Sequence, residues 1–294
     1  MTTTERDIAQ NAQGAIDTAL SIGKLASLPD IVFKINSLLD SEDCTSKKVA
    51  ALIELDPALS SKLLKIANSS LYGFTAEIAS IERAVNLVGT KEVRDLVYSV
   101  YTVSAFEGIP NELVDMECFW RHSIYSALIA RALSDKYGLF KNDSVFTAGL
   151  LHDIGQLALY HHFPEESRQA LEHSVDVNHG MSPHLSETEI LGFNHSHVGY
   201  ELAKVWNFPE SLAECIAYHH GPFEQFDELR LVHLIHVANC LTVLAEIDET
   251  EIDAGPTLDP QMHDFFDLSP EAISELIEPV AAEGEVLLRE FIGS

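Results

Sequence analysis

Apolar residues recur at every third and fourth position in nearly every segment between turn signals of this 294-residue chain, the period of one buried helical face. No stretch alternates apolar and polar residues convincingly, as a half-buried strand would. The expected fold class is therefore all-α. Start and stop signals fit that reading. Pro29 and Asp30 open "LPDIVFKINSLLD", Thr90 can cap "TKEVRDLVYSVYTVSAF", Gly89 can end the helix before it, and Ser269 with Pro270 can open the last helix.

The helices group into two lobes. Residues 1–25 read as a polar N-terminal leader and 26–110 as a first helical lobe ending near "EGIPNE". Residues 111–248 read as a core of longer helices, and 249–294 as an acidic link, "DETEIDAGPTLDP", with a C-terminal helix. A hydrophobic content of 46% can supply a sizeable core. Trp120, Trp206, Tyr125 and Tyr200 fall at helical spacing among aliphatic residues and read as core or lobe-interface side chains. "ANSSLYG" reads as a helix stop in which Asn68 and Ser69 satisfy backbone groups.

Eighteen basic residues against 46 acidic ones leave a formal charge of −28. Such a surface repels polyanions, so neither nucleic acid nor an anionic membrane is expected as a partner. A small anionic ligand would need a local positive feature, such as a bound metal or a helix N-terminus. Cys44, Cys118, Cys215 and Cys240 are scattered without CxxC spacing and read as free thiols in a reducing compartment. "MTTTERDIAQ" has no signal-like region, and no apolar run approaches a membrane span. The expectation is a soluble cytoplasmic protein.

Against this background "GLLHDIGQL", Gly149 to Leu157, is costly: it sets His152 and Asp153 inside an apolar run. Burying Asp153 unpaired costs on the order of several kcal/mol, so it must find a cation, a metal or a set of donors. Imidazole and carboxylate are the usual mixed ligands for Zn, Mn and Fe, and neighbours on one helix can both lean toward an ion in a facing groove. His122 in "WRHS", His195 in "NHSHVG", and His219 with His220 in "AYHHG" lie where other helices can deliver them. Two plainer readings stand beside this one. A neutral histidine can satisfy a buried Asp153 through hydrogen bonds alone, and a histidine pair before glycine can sit at a helix C-terminus and favour its dipole. His161, His162, His173, His179, His184, His233 and His236 read as surface or core residues, while His197, two residues from His195, stays open.

Taken in order, "LPDIV", "DPALSSKLLKIANSSLYG", "SIERAVNLVG", "RHS", "GLLHDIGQL", "NHSHVGYELAKVWNFP" and "AYHHG" resemble the HD superfamily of metal-dependent phosphohydrolases. The resemblance is closer to its HDOD branch and runs from about Leu28 to Ile247. It implies a two-lobed helical HDOD fold whose residues 111–248 form an HD-like core. His122, His152 and Asp153 match the first metal ligands, and His195, His219 and His220 match the additional histidines of two-metal members. The implied cofactor is a divalent ion: Fe, Mn, Zn or Mg.

Three departures accompany the match. Asn239 stands where the final carboxylate is expected, a neutral and weaker ligand for a hard cation. Gln156 replaces a lysine suited to a phosphate, and the Gly-Tyr-Pro signature is absent after His220, where the chain reads "GPFEQFDE". The resemblance thus allows two functions. One is a phosphohydrolase of phosphomonoesters, nucleotides or cyclic dinucleotides that depends on Asp153. The other, favoured by the departures, is a bacterial signal-transduction module with a degenerate HD pocket that binds a signalling protein or a small phosphorylated ligand.

Overall fold

The computed structural model describes residues 3–69, 71–107, 113–140, 144–175, 181–223, 225–226, 228–247 and 257–292. His179, most of the expected lobe boundary at 108–112 and most of the acidic link at 248–256 lie outside the described residues. Every regular element among those described is helical, as the periodicity predicts. In order they are α1 (Thr3–Leu25), α2 (Asp30–Leu39), α3 (Ser46–Ile53), α4 (Pro57–Ala67), α5 (Ile81–Val88), α6 (Thr90–Glu107), α7 (Met116–Tyr137), α8 (Val145–Leu151), α9 (Ile154–His162), α10 (Pro164–Val175), α11 (Pro183–Leu191), α12 (His195–Val205), α13 (Glu210–Tyr218), α14 (Leu231–Glu246) and α15 (Pro270–Ile292), with a 3₁₀ turn at Pro260–Asp264. None of the described helices is long and apolar enough to cross a membrane.

The chain divides into two compact units. One comprises residues 1–27 with 109–278, the other 28–108 with 279–294. The expected leader is thus part of the first unit: α1 buries Ala15, Thr18, Ala19 and Ile22, and Gly14 and Gly23 lie so close to Phe193 and Val205 that a Cβ would approach to 2.7 and 2.6 Å. Its small residues hid this face, because Ala, Thr and Gly score as weakly apolar while still allowing a helix to pack closely.

In the second unit α3, α4 and α5 start on side-chain caps, whereas Pro29 before α2 offers none and Thr90 is itself the first residue of α6. Thr45 accepts from the Lys48 N–H and Ser80 from the Arg83 N–H, while Asp56 accepts from Ala58 and Leu59 at 2.9 and 3.1 Å. Gly89 closes α5 with φ of 99°, as its position suggested. The "ANSSLYG" stop is also as expected: the Asn68 amide donates to the carbonyls of Leu64 and Ile78 and accepts from the Ile78 N–H, and the Ser69 hydroxyl donates to Ile66.

The first unit is built on α7, which packs along α8 and α14. The Ser126 hydroxyl donates to that of Thr242 at 3.1 Å and fixes the register of α7 on α14. This sets His122 and Asn239, each about one turn away, opposite each other. Trp120 and Trp206 are buried, and Tyr125 and Tyr200 are half-buried. A single helix was expected to carry His152 and Asp153, but the chain breaks there into α8 and α9. The His152 ring bonds the Gly149 carbonyl at 2.7 Å, and the Gln156 N–H bonds the Asp153 carbonyl in a turn. Side-chain and turn bonds thus take carbonyls that a continuous helix would use.

Asp56 joins two elements of its unit, since besides its capping bonds it accepts from the Tyr101 hydroxyl at 2.6 Å. That bond holds the Asp56 carboxyl below its usual range against the opposing effect of burial. Replacing Asp56 with Ala is expected to lower stability by about 1–2 kcal/mol in urea unfolding. Because the folded pKa is depressed, this contribution is complete above the ordinary carboxylate pKa. It disappears as pH falls through the lowered one, so wild type and Asp56→Ala should converge in acid.

Candidate metal centre

Five segments of the first unit deliver the site. His122 comes from the first half of α7, His152 and Asp153 from the α8–α9 break, His195 from the first residue of α12, His219 and His220 from the end of α13, and Asn239 from the middle of α14. Two glycines make the convergence possible. A Cβ on Gly149 would lie 2.6 Å from the Ala127 Cα, so α8 runs backbone against backbone on α7. A Cβ on Gly155 would lie 1.9 Å from the His195 carbonyl oxygen and 2.7 Å from the Gly199 nitrogen, so the start of α9 rests directly on the start of α12.

Asp153 is the hub. Its Oδ1 lies 3.2 Å from His195 Nε2 and 3.1 Å from His219 Nε2; its Oδ2 lies 3.3 Å from His152 Nε2 and 3.8 Å from His122 Nε2. His195 Nε2 is in turn 3.3 Å from His219 Nε2 and 3.1 Å from His220 Nε2. His122 Nε2 is 3.0 Å from Asn239 Oδ1. The structure therefore brings together every residue expected at the site. Their donor atoms form two metal-compatible groups that share Asp153: one with His195, His219 and His220, the other with His122 and His152.

The opposite edges of the rings are anchored. His195 Nδ1 donates to Glu187 Oε2 at 2.7 Å, and the His195 backbone N–H donates to the same oxygen at 2.8 Å. His152 Nδ1 donates to the Gly149 carbonyl, His219 Nδ1 to those of Cys215 and Ile216, and His122 Nδ1 faces Glu246 at 3.1 Å. With Nδ1 committed to these acceptors, Nε2 is the ring nitrogen that faces the pocket and, once deprotonated, would be the metal-binding one. Buried inside the pocket, Asp153 Oδ1 meets only the ring nitrogens of His195 and His219, and His152 Nε2 has Asp153 Oδ2 nearby at 3.3 Å. Adjacent donors around an ion with bonds of about 2.0–2.1 Å lie about 2.8–3.4 Å apart, from octahedral to tetrahedral geometry, as most of these do. The residues fit a divalent transition ion.

The electrostatics agree. Burial would raise the Asp153 carboxyl, but His152, His195 and His219 hold it well below its usual range. Burial drives His219 down to about 4 and His220 well below its usual value, leaving both neutral. At His195 burial is outweighed by the carboxylates of Glu187 and Asp153, which push it up to about 10. Without a metal, one proton sits where the pocket demands positive charge, and an incoming ion would displace it.

Other histidines find plainer roles. His197 exchanges capping bonds with Asn194, each backbone N–H bonding the other's side chain. His233 caps α14, and His236 bonds the His219 carbonyl and the Asp259 N–H. His184 stacks on His220 with centroids 4.0 Å apart. The centre opens into a cavity of about 1100 Å³ whose wall includes Phe119, Tyr125, Leu185, Phe223 and Leu258, far larger than an ion needs.

Residues 25–222 match the HDOD domain. The chain belongs to the HDOD family. Its fold is similar to an HDOD domain protein of unknown function from Geobacter sulfurreducens (24% identity, 96% of this chain and 99% of that one, TM-score 0.70). It is likewise similar to a protein from Shewanella amazonensis SB2B named provisionally as a phosphohydrolase (24%, 93% and 98%, 0.71), and to one from Marinobacter aquaeolei VT8 named provisionally as a signal transduction protein (20%, 95% and 64%, 0.68). An uncharacterized protein of Treponema pallidum (strain Nichols) is 26% identical over 213 residues, or 72% of this chain, which spans only 40% of that relative's length. At such identities the structural likenesses show the fold.

Sequence reasoning on the HDOD chain missed Glu187 and Glu246, the carboxylates behind His195 and His122. Nothing marked them among 46 acidic residues. It also passed over Gly155, because nothing in the sequence marks the helix break that this residue adjoins. Gly155→Ala would force α9 away from the His195 carbonyl and is expected to cost about 3 kcal/mol, seen as a large fall in the urea midpoint. Gly89→Ala, with no atom within 4 Å of the added Cβ, tests backbone strain alone and should cost less.

Proposed function

We propose that this HDOD protein is a metal-binding regulatory module of bacterial signal transduction that responds through ligand or partner binding and does not turn over phosphoesters. The observation that carries the reading is the use made of Gln156. Its amide donates to Asp153 Oδ2 at 3.1 Å and accepts from the Tyr160 hydroxyl at 2.9 Å. At the position where a phosphohydrolase would offer a lysine to a phosphate, this chain has a neutral group tied to the metal-binding carboxylate. Asn239 works in the same direction, presenting an uncharged oxygen to His122. A bound divalent ion would supply Lewis acidity and the local positive charge that a −28 chain otherwise lacks.

His122, His152, Asp153, His195, His219 and His220 would hold the metal, with Asn239 as a weak additional donor. The cavity beside them has room for a small phosphorylated ligand, while the acidic exterior disfavours nucleic acid and anionic membranes. Binding of this kind stabilises a ground state. Hydrolysis also requires charge complementarity that grows in the transition state, and the two neutral amides withdraw it.

Purified protein is expected to contain a divalent transition metal by elemental analysis. Asp153→Ala should lose it, and His161→Ala should keep it. Chelation should lower the melting temperature of wild type and leave Asp153→Ala unchanged. The metal-loaded protein should show no turnover across phosphomonoesters, nucleotides and cyclic dinucleotides. Turnover that vanishes in Asp153→Ala would make the enzyme reading correct instead. If Asn239→Asp combined with Gln156→Lys creates turnover absent from wild type, those positions are where catalysis was given up.

A further inference from the structure

The two donor groups around Asp153 are not equivalent, and the difference lies in their surroundings. The inner group, His195, His219 and His220 with Asp153 Oδ1, is the better built. His195 and His219 have fully buried side chains, and Oδ1 faces only their Nε2 atoms, at 3.2 and 3.1 Å. His195 is held twice by one oxygen of Glu187, whose side chain is only 5% exposed. His219 is fixed by two main-chain carbonyls.

The outer group, His122 and His152 with Asp153 Oδ2, is weakened at three points. The Gln156 amide already bonds Oδ2. Asn239 contributes no charge. His122 is 18% exposed and leans on Glu246, itself 35% exposed, so its anchor is screened by water. An ion already in the inner group would further repel a second.

We infer that the pocket is an unequal pair of sites, with one metal ion held firmly by Asp153, His195, His219 and His220, and that Glu187 is the positioning residue that makes this inner site tight. The inference rests on the metal-binding reading above. A buried carboxylate behind a ligating imidazole fixes its tautomer and orientation and raises its basicity, and removing such a support typically lowers metal affinity 10- to 100-fold. The HD dipeptide then serves mainly the inner ion through Asp153. The outer site becomes the position where occupancy can follow the supply of metal or ligand. A donor set rich in imidazole, with one carboxylate, suits Zn, Fe or Mn better than Mg.

Equilibrium zinc binding to the full chain, stripped of metal beforehand, tests this without any assay of activity. Wild type should take up one ion tightly and a second far more weakly. His122→Ala should keep the tight ion; His195→Ala and His220→Ala should lose it. Glu187→Gln, close to isosteric, should weaken the tight step about 10- to 100-fold and leave the weak one, whereas Asn239→Asp should strengthen only the weak step. In metal-free protein the His195 Nδ1 proton should resonate far downfield through its carboxylate bond, and Glu187→Gln should move it upfield. A thermal melt by circular dichroism checks folding, and Glu187→Asp, which keeps the charge but withdraws the oxygen, should be intermediate if Glu187→Gln does not fold. Loss of the tight ion in His122→Ala, two equal steps, or a tight step unchanged in Glu187→Gln would each overturn the inference while leaving the metal reading intact. No zinc uptake at all would overturn both.

Discussion

The Asp153 carboxylate, 7% exposed at the junction of α8 and α9, sets the conditions that the surrounding helices meet. A buried carboxylate is tolerated only when positive charge or directed donors surround it, and the penalty for failing is several times a typical hydrogen bond. Imidazoles from α7, α12 and the end of α13 reach it, together with its own neighbour His152. Helices that all point side chains at one atom must approach closely, which accounts for the missing side chains at Gly149 and Gly155. It also accounts for the break in the helix: an unbroken one would hold His152 and Asp153 about 100° apart around its axis, whereas the break turns both toward the same space.

These requirements explain what could be read from the residues alone. Period and caps marked most of the helices from Leu28 onward because most of them bury a stripe of large aliphatic residues, although α10 buries only Ser167 and Ala170 and α11 only Ser186 and Glu187. The α1 face, made of Ala15, Thr18, Ala19 and Ile22, carries too little hydrophobicity to stand out, and a helix was read as a leader. The ligand set was legible because His152 and Asp153 interrupt an apolar run, and because the order of motifs resembles a known family. Glu187 could not be found in that way. Its sequence context, "HLSETEIL", is that of any solvated acidic helix, and only the fold reveals that this carboxylate faces inward. Nor was the α8–α9 break legible, since "SVFTAGLLHDIGQLALY" keeps helical spacing across it.

The acidity of the chain gives the pocket its direction of action. A surface with 46 acidic residues and 18 basic ones holds anions away at long range, so an anionic ligand gains little until it reaches the cavity. There, six potential ligands bring a single formal negative charge, that of Asp153, because the imidazoles are neutral when they bind metal. A divalent ion in such a set keeps most of its charge, and that charge is available to a ligand in the cavity alongside.

The same arithmetic separates occupancy from turnover. Replacing the final carboxylate by Asn239 leaves an ion in the outer site more electrophilic but less firmly held. If the resemblance holds at Gln156, the amide there also leaves out a lysine that could neutralise a phosphate as charge develops on it. An enzyme needs both a stable ion and a complementary field at the moment of bond breaking. A sensor needs only an equilibrium that ligand or metal supply can shift, and differential affinity between two states is sufficient for that. Under the proposed reading, an inner ion held through buried partners and an outer site resting on water-exposed ones would divide the pocket into a fixed part and a responsive part. The fixed part would keep the helices converged on Asp153, and because His195 and His220 line the cavity beside His122 and Asn239, a ligand arriving there would meet both parts.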